Sequence, residues 1–170
     1  MQKNQIFTGE ISGVTSQGFG VARLEDRAVF VRGAIPGEMC RIKVVKVSKT
    51  AVYGLLLEVL TPSPHRTEPA CPHYGRCGGC DYMHMDYALE AELKRSRVAE
   101  VLRRIGGVEP GEVSIAAAPD PWGYRNKVQF PVAETPEGPA AGFFRARSHD
   151  LIPVTRCLIS PRRRSSSPGP

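Results

Sequence analysis

Apolar and polar positions alternate in short runs over the first sixty residues. Ile6, Phe7, Ile11 and Val14 are interleaved with Gly9 and Gly13, the spacing of a bent, glycine-containing strand. A turn over 15–18 leads into a second strand ending at Leu24, and the polar reversal Glu25-Asp26-Arg27 precedes a β-rich run at 28–31. Gly33-Ala34-Ile35-Pro36-Gly37 carries several turn signals. Residues 40–44 alternate, and 45–47 resume with the phase slipped by one, the mark of a β-bulge. The last run, 52–59, puts Tyr53, Leu55, Leu57 and Val59 on one face. Five short strands in so small a unit predict a closed or nearly closed barrel of the OB type, because closure removes exposed edges.

The pattern then changes. Residues 61–70 contain Pro62, Pro64 and Pro69 and read as an extended linker. A cysteine- and glycine-containing loop follows. Residues 86–105 have the one convincing helical period, with Leu89, Leu93, Val98, Val101, Leu102 and Ile105 on a mostly one-sided stripe. Asp86 can cap its start, and Gly106-Gly107 stop it. Residues 119–127 read as a turn leading into a strand that Val128-Gln129-Phe130-Pro131-Val132 continues, with Arg125 and Lys127 in it if it starts that early. A second is expected from Ala141 to Ala146, and Leu151-Ile152-Pro153-Val154 leads on to Cys157. The expected class is mainly β with an α+β second part. Its segments are a barrel at 1–60, the linker, a metal loop and helix at 71–106, a partial α+β domain at 107–160, and an Arg/Ser/Pro tail at 161–170 expected to be disordered.

Charge adds a partner class. The net charge is +6, and it is uneven. Residues 1–60 carry eight basic and five acidic side chains, 61–120 seven and nine, and 121–170 eight and three. Basic ends around a near-neutral middle suit a polyanion such as RNA, although a solvated surface has the same composition. On the barrel, the candidates for RNA contact are Phe19, Arg23, Arg32, Arg41, Lys43, Lys46 and Lys49. Farther on, Tyr124, Arg125, Lys127, Arg145 and Arg147 form an aromatic and basic set. Each basic residue has a plain alternative as a solvated strand position, and Phe19 as core. The basic side of the helix is read as facing water. No segment is apolar enough to span a bilayer and no secretory signal opens the chain, so the expected compartment is the cytoplasm.

The chemistry lies in the cysteines. Cys71, Cys77 and Cys80 fall in one loop, Cys157 stands far along the chain, and Cys40 sits alone on a barrel strand as a small buried side chain. Five cysteines without an export signal favour a metal site over a disulfide framework. Zinc sites more often use two separated pairs, whereas a close triplet with one distant thiolate suits an iron–sulfur cluster; zinc and redox thiols remain open. Gly78 and Gly79 would let the backbone bend and turn its N–H groups toward the sulfurs. His73 and His84 flank the loop as alternative ligands or as packing residues.

Three blocks carry a resemblance. They are Gly18-Phe19-Gly20-Val21-Ala22 with Val29-Phe30-Val31 and Ala34-Ile35-Pro36-Gly37-Glu38; Cys71 with Cys77-Gly78-Gly79-Cys80 and His84; and Tyr124-Arg125-Asn126-Lys127 with Gly142-Phe143-Phe144-Arg145, Ile152-Pro153-Val154 and Cys157. In order and spacing the chain is similar to the N-terminal half of the S-adenosylmethionine-dependent RNA (uracil-5-)-methyltransferases that modify 23S ribosomal RNA and transfer RNA. The resemblance implies a TRAM barrel that grips RNA and a 4Fe–4S cluster on Cys71, Cys77, Cys80 and Cys157. It implies 23S ribosomal RNA as partner rather than transfer RNA. In that family a cysteine adds to uracil C6, C5 attacks the methyl donor, and a carboxylate removes the C5 proton. Donor and nucleophile belong to a C-terminal α/β domain, and no such unit is legible before Ser160. The expectation is a truncated or frameshifted chain with no binding site for S-adenosylmethionine and no methyl transfer of its own. A separately encoded catalytic domain is the partner such a chain would need. The alternatives are a non-catalytic RNA-binding 4Fe–4S protein and a zinc-binding RNA-interaction module. A radical enzyme ranks below these, because its cluster leaves one iron without a cysteine ligand.

Overall fold

A computed structural model describes residues 1–146 and 148–160. By contact the chain divides into two compact units. One comprises Met1–Pro69 with Asp81–Ile115, the other Ala70–Cys80 with Ala116–Pro170. The cysteine loop therefore groups with the C-terminal segment, and the helix groups with the barrel.

In the first unit a six-stranded sheet runs in the order β1-β5-β6-β4-β3-β2. The strands are β1 (Ile6–Glu10), β2 (Gly13–Val14), β3 (Phe19–Leu24), β4 (Arg27–Arg32), β5 (Met39–Val47) and β6 (Val52–Thr61). β1 and β2 are one bent strand. Before the bend it pairs with β5, after it with β3, and this closes the sheet on itself. Ile11, at the bend, is fully buried. A parallel β4–β6 pairing joins the two halves.

The core is formed by Ile11, Ala22, Val29, Val31, Ala34, Cys40, Ile42, Val44 and Val52. The slipped phase in β5 is a real irregularity, since Val44 pairs with Gly54 and Lys46 with Tyr53, leaving Val45 over. The face of β6 carrying Tyr53, Leu55 and Leu57 is the outer one: Leu55 is 53% exposed, while Val52 is buried. Gly54 explains the choice. A Cβ there would lie 2.5 Å from Ile42 Cγ2 and 3.1 Å from Val29 Cγ1, so its side faces the filled interior.

The helix α1 (Tyr87–Arg104) is capped by Asp86, whose Oδ1 accepts the Leu89 N–H at 2.7 Å. The expected apolar stripe is only partly covered. Ala91 is buried and Leu89 and Leu93 are half-buried, but Val98, Leu102 and Ile105 are exposed.

The second unit has a three-stranded antiparallel sheet, β7 (Val132–Thr135), β8 (Gly138–Phe144) and β9 (Leu151–Pro153). The strand expected over 128–132 begins only at Val132. Pro131 has no N–H to donate, and its carbonyl accepts from Gly142 at 3.0 Å just before the ladder starts. Arg147 and the tail 161–170 lie outside the described residues.

Candidate metal and nucleic-acid sites

The four thiols expected to act together all belong to the second unit. Two tight turns shape the triplet: the Tyr74 N–H donates to Cys71 O at 3.0 Å, and the Cys77 N–H to His73 O at 2.8 Å. Cys77 then pairs with Arg145, and the Gly78 N–H donates to Phe144 O at 3.1 Å. That bond corrects the expectation for Gly78, whose donor serves the end of β8 rather than a sulfur. A Cβ at Gly78 would meet Ala146 Cα and N at 3.0 Å, so the close backbone approach requires glycine. Cys157 is held from the other side. Gly123 and Arg125 donate to the carbonyls of Leu158 and Ile159 at 2.9 and 3.0 Å, and Ser160 donates back to Cys157 O at 3.3 Å.

All four cysteines are half-buried and none is in a disulfide. Burial pushes the Cys80 thiol up to about 11, and Cys157, Cys77 and Cys71 push it the same way; Arg125 opposes them. Cys80 is thus within electrostatic reach of the other three. The donor chemistry fits a thiophilic centre. Among the described residues, however, no group of three or more His, Cys, Asp and Glu stands at the spacing that would hold a metal ion. A single zinc with sulfurs at about 2.3 Å requires closer convergence than a cubane, which seats each thiolate on its own iron.

His84 is placed elsewhere. It is buried in the barrel unit near Arg66, Glu38, Ala34 and Arg32. Burial first, and then the charge of Arg66, press its pKa down to about 4. Cys40 is fully buried as expected, with its thiol raised to about 11, first by burial and then by Glu38.

The outer face of the barrel gathers most of the expected RNA-contact residues. Phe19, Arg23, Arg41, Lys43 and Lys46 all point outward on β3 and β5. Cross-strand rows run Lys46–Tyr53–Phe30 and Ile6–Lys43–Leu55. Tyr53 is the centre of a ring cluster, 6.1 Å from Phe19 and 5.8 Å from Phe30. Arg41 is tied to Glu58 at 3.3 Å, and Arg32 to Asp81 at 3.4 Å. Phe30 and Tyr53 are the members of this face that sequence reasoning misses. Their alternation with Val29, Val31 and Val52 carries the signal, since every second residue of a barrel strand faces out.

In the second unit Tyr124 is 62% exposed. Arg125 and Lys127 line a cleft with Val128, Gln129 and Phe143. Arg145 lies 3.6 Å from Asp150.

Residues 2–57 match the TRAM domain family. An uncharacterized RNA methyltransferase of Bacillus cereus is 38% identical over 160 residues, covering 94% of this chain and 35% of its own length. Another, of Clostridium acetobutylicum, is 39% identical over 162 residues with the same coverage. The crystal structure of the Pyrococcus abyssi tRNA (uracil-54, C5)-methyltransferase in complex with S-adenosyl-L-homocysteine is similar with a TM-score of 0.61 and 25% identity, over 91% of this chain and 33% of that one. The chain spans about a third of the length of these relatives. It carries a TRAM domain and is homologous over nearly all its length to RNA methyltransferases of the uracil-5 class.

Proposed function

We propose that this chain is the RNA-gripping portion of an RNA (uracil-5-)-methyltransferase, and that Cys71, Cys77, Cys80 and Cys157 hold a 4Fe–4S cluster. The observation that carries the first part is the 160-residue likeness to RNA methyltransferases with a TRAM domain at its front. The basic outer face of the barrel, with Phe19, Phe30 and Tyr53 among its cations, supports it. Bases stack on such rings while Lys43, Lys46 and Arg23 neutralise phosphates. Tyr124, Arg125, Lys127 and Arg145 supply a separate aromatic and basic set within the second unit. The methyl donor, S-adenosylmethionine, belongs to the full-length protein in this reading.

The cluster reading is supported by the membership of all four thiols in one unit and by their half-buried position. When bound, such a cluster supplies a rigid inorganic cross-link and a localised charge. The chain's own residues hold Gly78 against β8, tie the segment after Cys157 to Gly123 and Arg125, and keep water partly away from the sulfurs. A closed four-cysteine site favours a structural role. The proposed RNA is 23S ribosomal RNA. The similar Pyrococcus protein is a tRNA (uracil-54, C5)-methyltransferase, and that likeness favours transfer RNA as a second reading.

Anaerobic purification with iron, sulfide and zinc analysis tests the metal. About four iron and four sulfide per chain are expected, and one zinc without sulfide overturns the cluster. Filter binding against a 23S fragment and a transfer RNA tests the partner. Phe19→Ala and Tyr53→Ala should each weaken binding by about tenfold, the scale of one lost base stack. Binding to neither RNA overturns the reading.

A further inference from the structure

The second unit contains a cleft of about 400 Å³, lined by Arg125, Lys127, Val128, Gln129 and Phe143. Its chemistry is compact: two cations, one amide with donors and an acceptor, and one ring. The Phe143 ring packs 4.9 Å from that of Phe130, which fixes its plane. A guanidinium and an ammonium suit a phosphodiester, an amide can read a base edge, and a ring offers a face for stacking.

The walls of the cleft are also the supports of the thiols. Arg125 is pinned by its N–H to Ile159 O, in the turn that follows Cys157. Phe143 precedes Phe144, whose carbonyl holds Gly78, and Arg145, which pairs with Cys77. One wall is thus tied to the distant cysteine and the other to the loop triplet. Between them, 125–131 forms no helix or strand.

We propose that this cleft is a subsite for one nucleotide of single-stranded RNA, and that ligation of the four thiols behind it tightens its grip by fixing both walls. The proposal rests on the RNA-binding reading above. Ordering an irregular wall at the moment of binding opposes affinity, so a cross-link formed beforehand raises it. The linkage is reciprocal: RNA seated in the cleft must slow loss of the metal centre. The charge of Arg125 also reaches Cys80, so the two sites share a residue electrostatically as well as through the backbone.

The test uses the full chain purified anaerobically, both metal-loaded and stripped by a chelator under reductant, with a fluorescein-labelled oligouridylate read by anisotropy. The loaded form should bind about tenfold tighter than the stripped form. Arg125→Gln and Lys127→Gln should each weaken the loaded form about tenfold and lower the salt slope by about one. Arg125→Lys should retain most of the affinity. Oligouridylate should slow chelator-driven iron release from the wild type, but not from the Arg125→Gln/Lys127→Gln protein. Equal binding by loaded and stripped chains overturns the coupling. Wild-type affinity in both glutamine variants, with binding weakened only by Phe19→Ala, overturns the subsite and leaves the barrel reading intact. A chain that binds no RNA, or takes up no metal, overturns the proposal together with the reading beneath it.

Discussion

Glu38→Gln tests what fastens the barrel to the chain that leaves it. Glu38 is fully buried at the end of the 33–37 loop. Its carboxylate accepts from the Ile35 N–H at 3.0 Å, the Ser63 N–H at 3.4 Å, and both Nε and Nη2 of Arg66, the latter at 2.7 Å. Arg66 Nη2 also donates to Gly33 O at 2.7 Å, so one guanidinium bridges the loop and the residues after β6. Burial pushes the Glu38 carboxyl up, but Arg66 and the two backbone donors outweigh it, and its pKa lies below the ordinary glutamate value. It therefore contributes stability above the ordinary glutamate range, and that contribution is lost as pH falls through the lowered value.

Breaking one side of a buried pair costs about 3–5 kcal/mol. Glutamine keeps the volume and one acceptor oxygen, and Arg66 is 25% exposed, so the low end applies: about 3 kcal/mol. The amide would set an N–H₂ against a cluster made of donors only. Urea unfolding followed by circular dichroism should show a midpoint lowered by about 1–3 M, given slopes of about 1–3 kcal/mol per M. Glu38→Met with Arg66→Met should recover part of the loss, because an apolar pair leaves no unpaired buried charge. A loss under about 1 kcal/mol for Glu38→Gln, with the slope unchanged, would refute the assignment of a tightly coupled buried pair.

Two further perturbations probe the same unit. His84 is held neutral with a pKa of about 4 against an ordinary 6.5, so the unfolded chain binds a proton in that window that the native chain does not. Melting temperature should fall as pH drops from 6.5 toward 4, by an amount equivalent to about 3 kcal/mol, and His84→Gln should flatten that part of the profile. Gly54→Ala drives a methyl to 2.5 Å from Ile42 Cγ2; overpacking of about 1–3 kcal/mol exceeds the gain of about 0.5–1 from a stiffer unfolded chain, so denaturation should show a net loss. Gly13→Ala, with nothing within 4 Å of the added carbon, is the control expected to be neutral or slightly stabilising.

The barrel was legible because its signals are local. Alternation set the strands, glycines set the bend, and the slipped phase at Val45 marked the irregularity in β5. What alternation cannot supply is which of two faces is inside. In β6 both faces are apolar, and Gly54 decided between them by leaving room for Ile42 and Val29. The Glu38–Arg66 pair was invisible for a different reason. It joins residues 28 apart across a proline-rich stretch that reads only as linker, and a buried carboxylate resembles any loop glutamate until its partner arrives. In the second unit, 125–131 looks like a strand by composition but finds no partner strand among the described residues, so propensity yields to pairing.

The cysteines show the same limit most clearly. Spacing can name four thiols that belong together, but not the distance to which they close. Burial first, and then its three cysteine neighbours, raise the Cys80 thiol to about 11. Backbone bonds at Gly78, Gly123 and Arg125 hold the segments that carry the sulfurs. A thiophilic cation binds thiolates and releases their protons as it binds. On the proposed reading, ligation of the four thiols ties together the segments that carry them, 123–125 on one side and the end of β8 on the other. Those are the walls of the Arg125–Phe143 cleft. On that same reading, filling the thiol site raises RNA affinity at the cleft, and bound RNA slows loss of the metal.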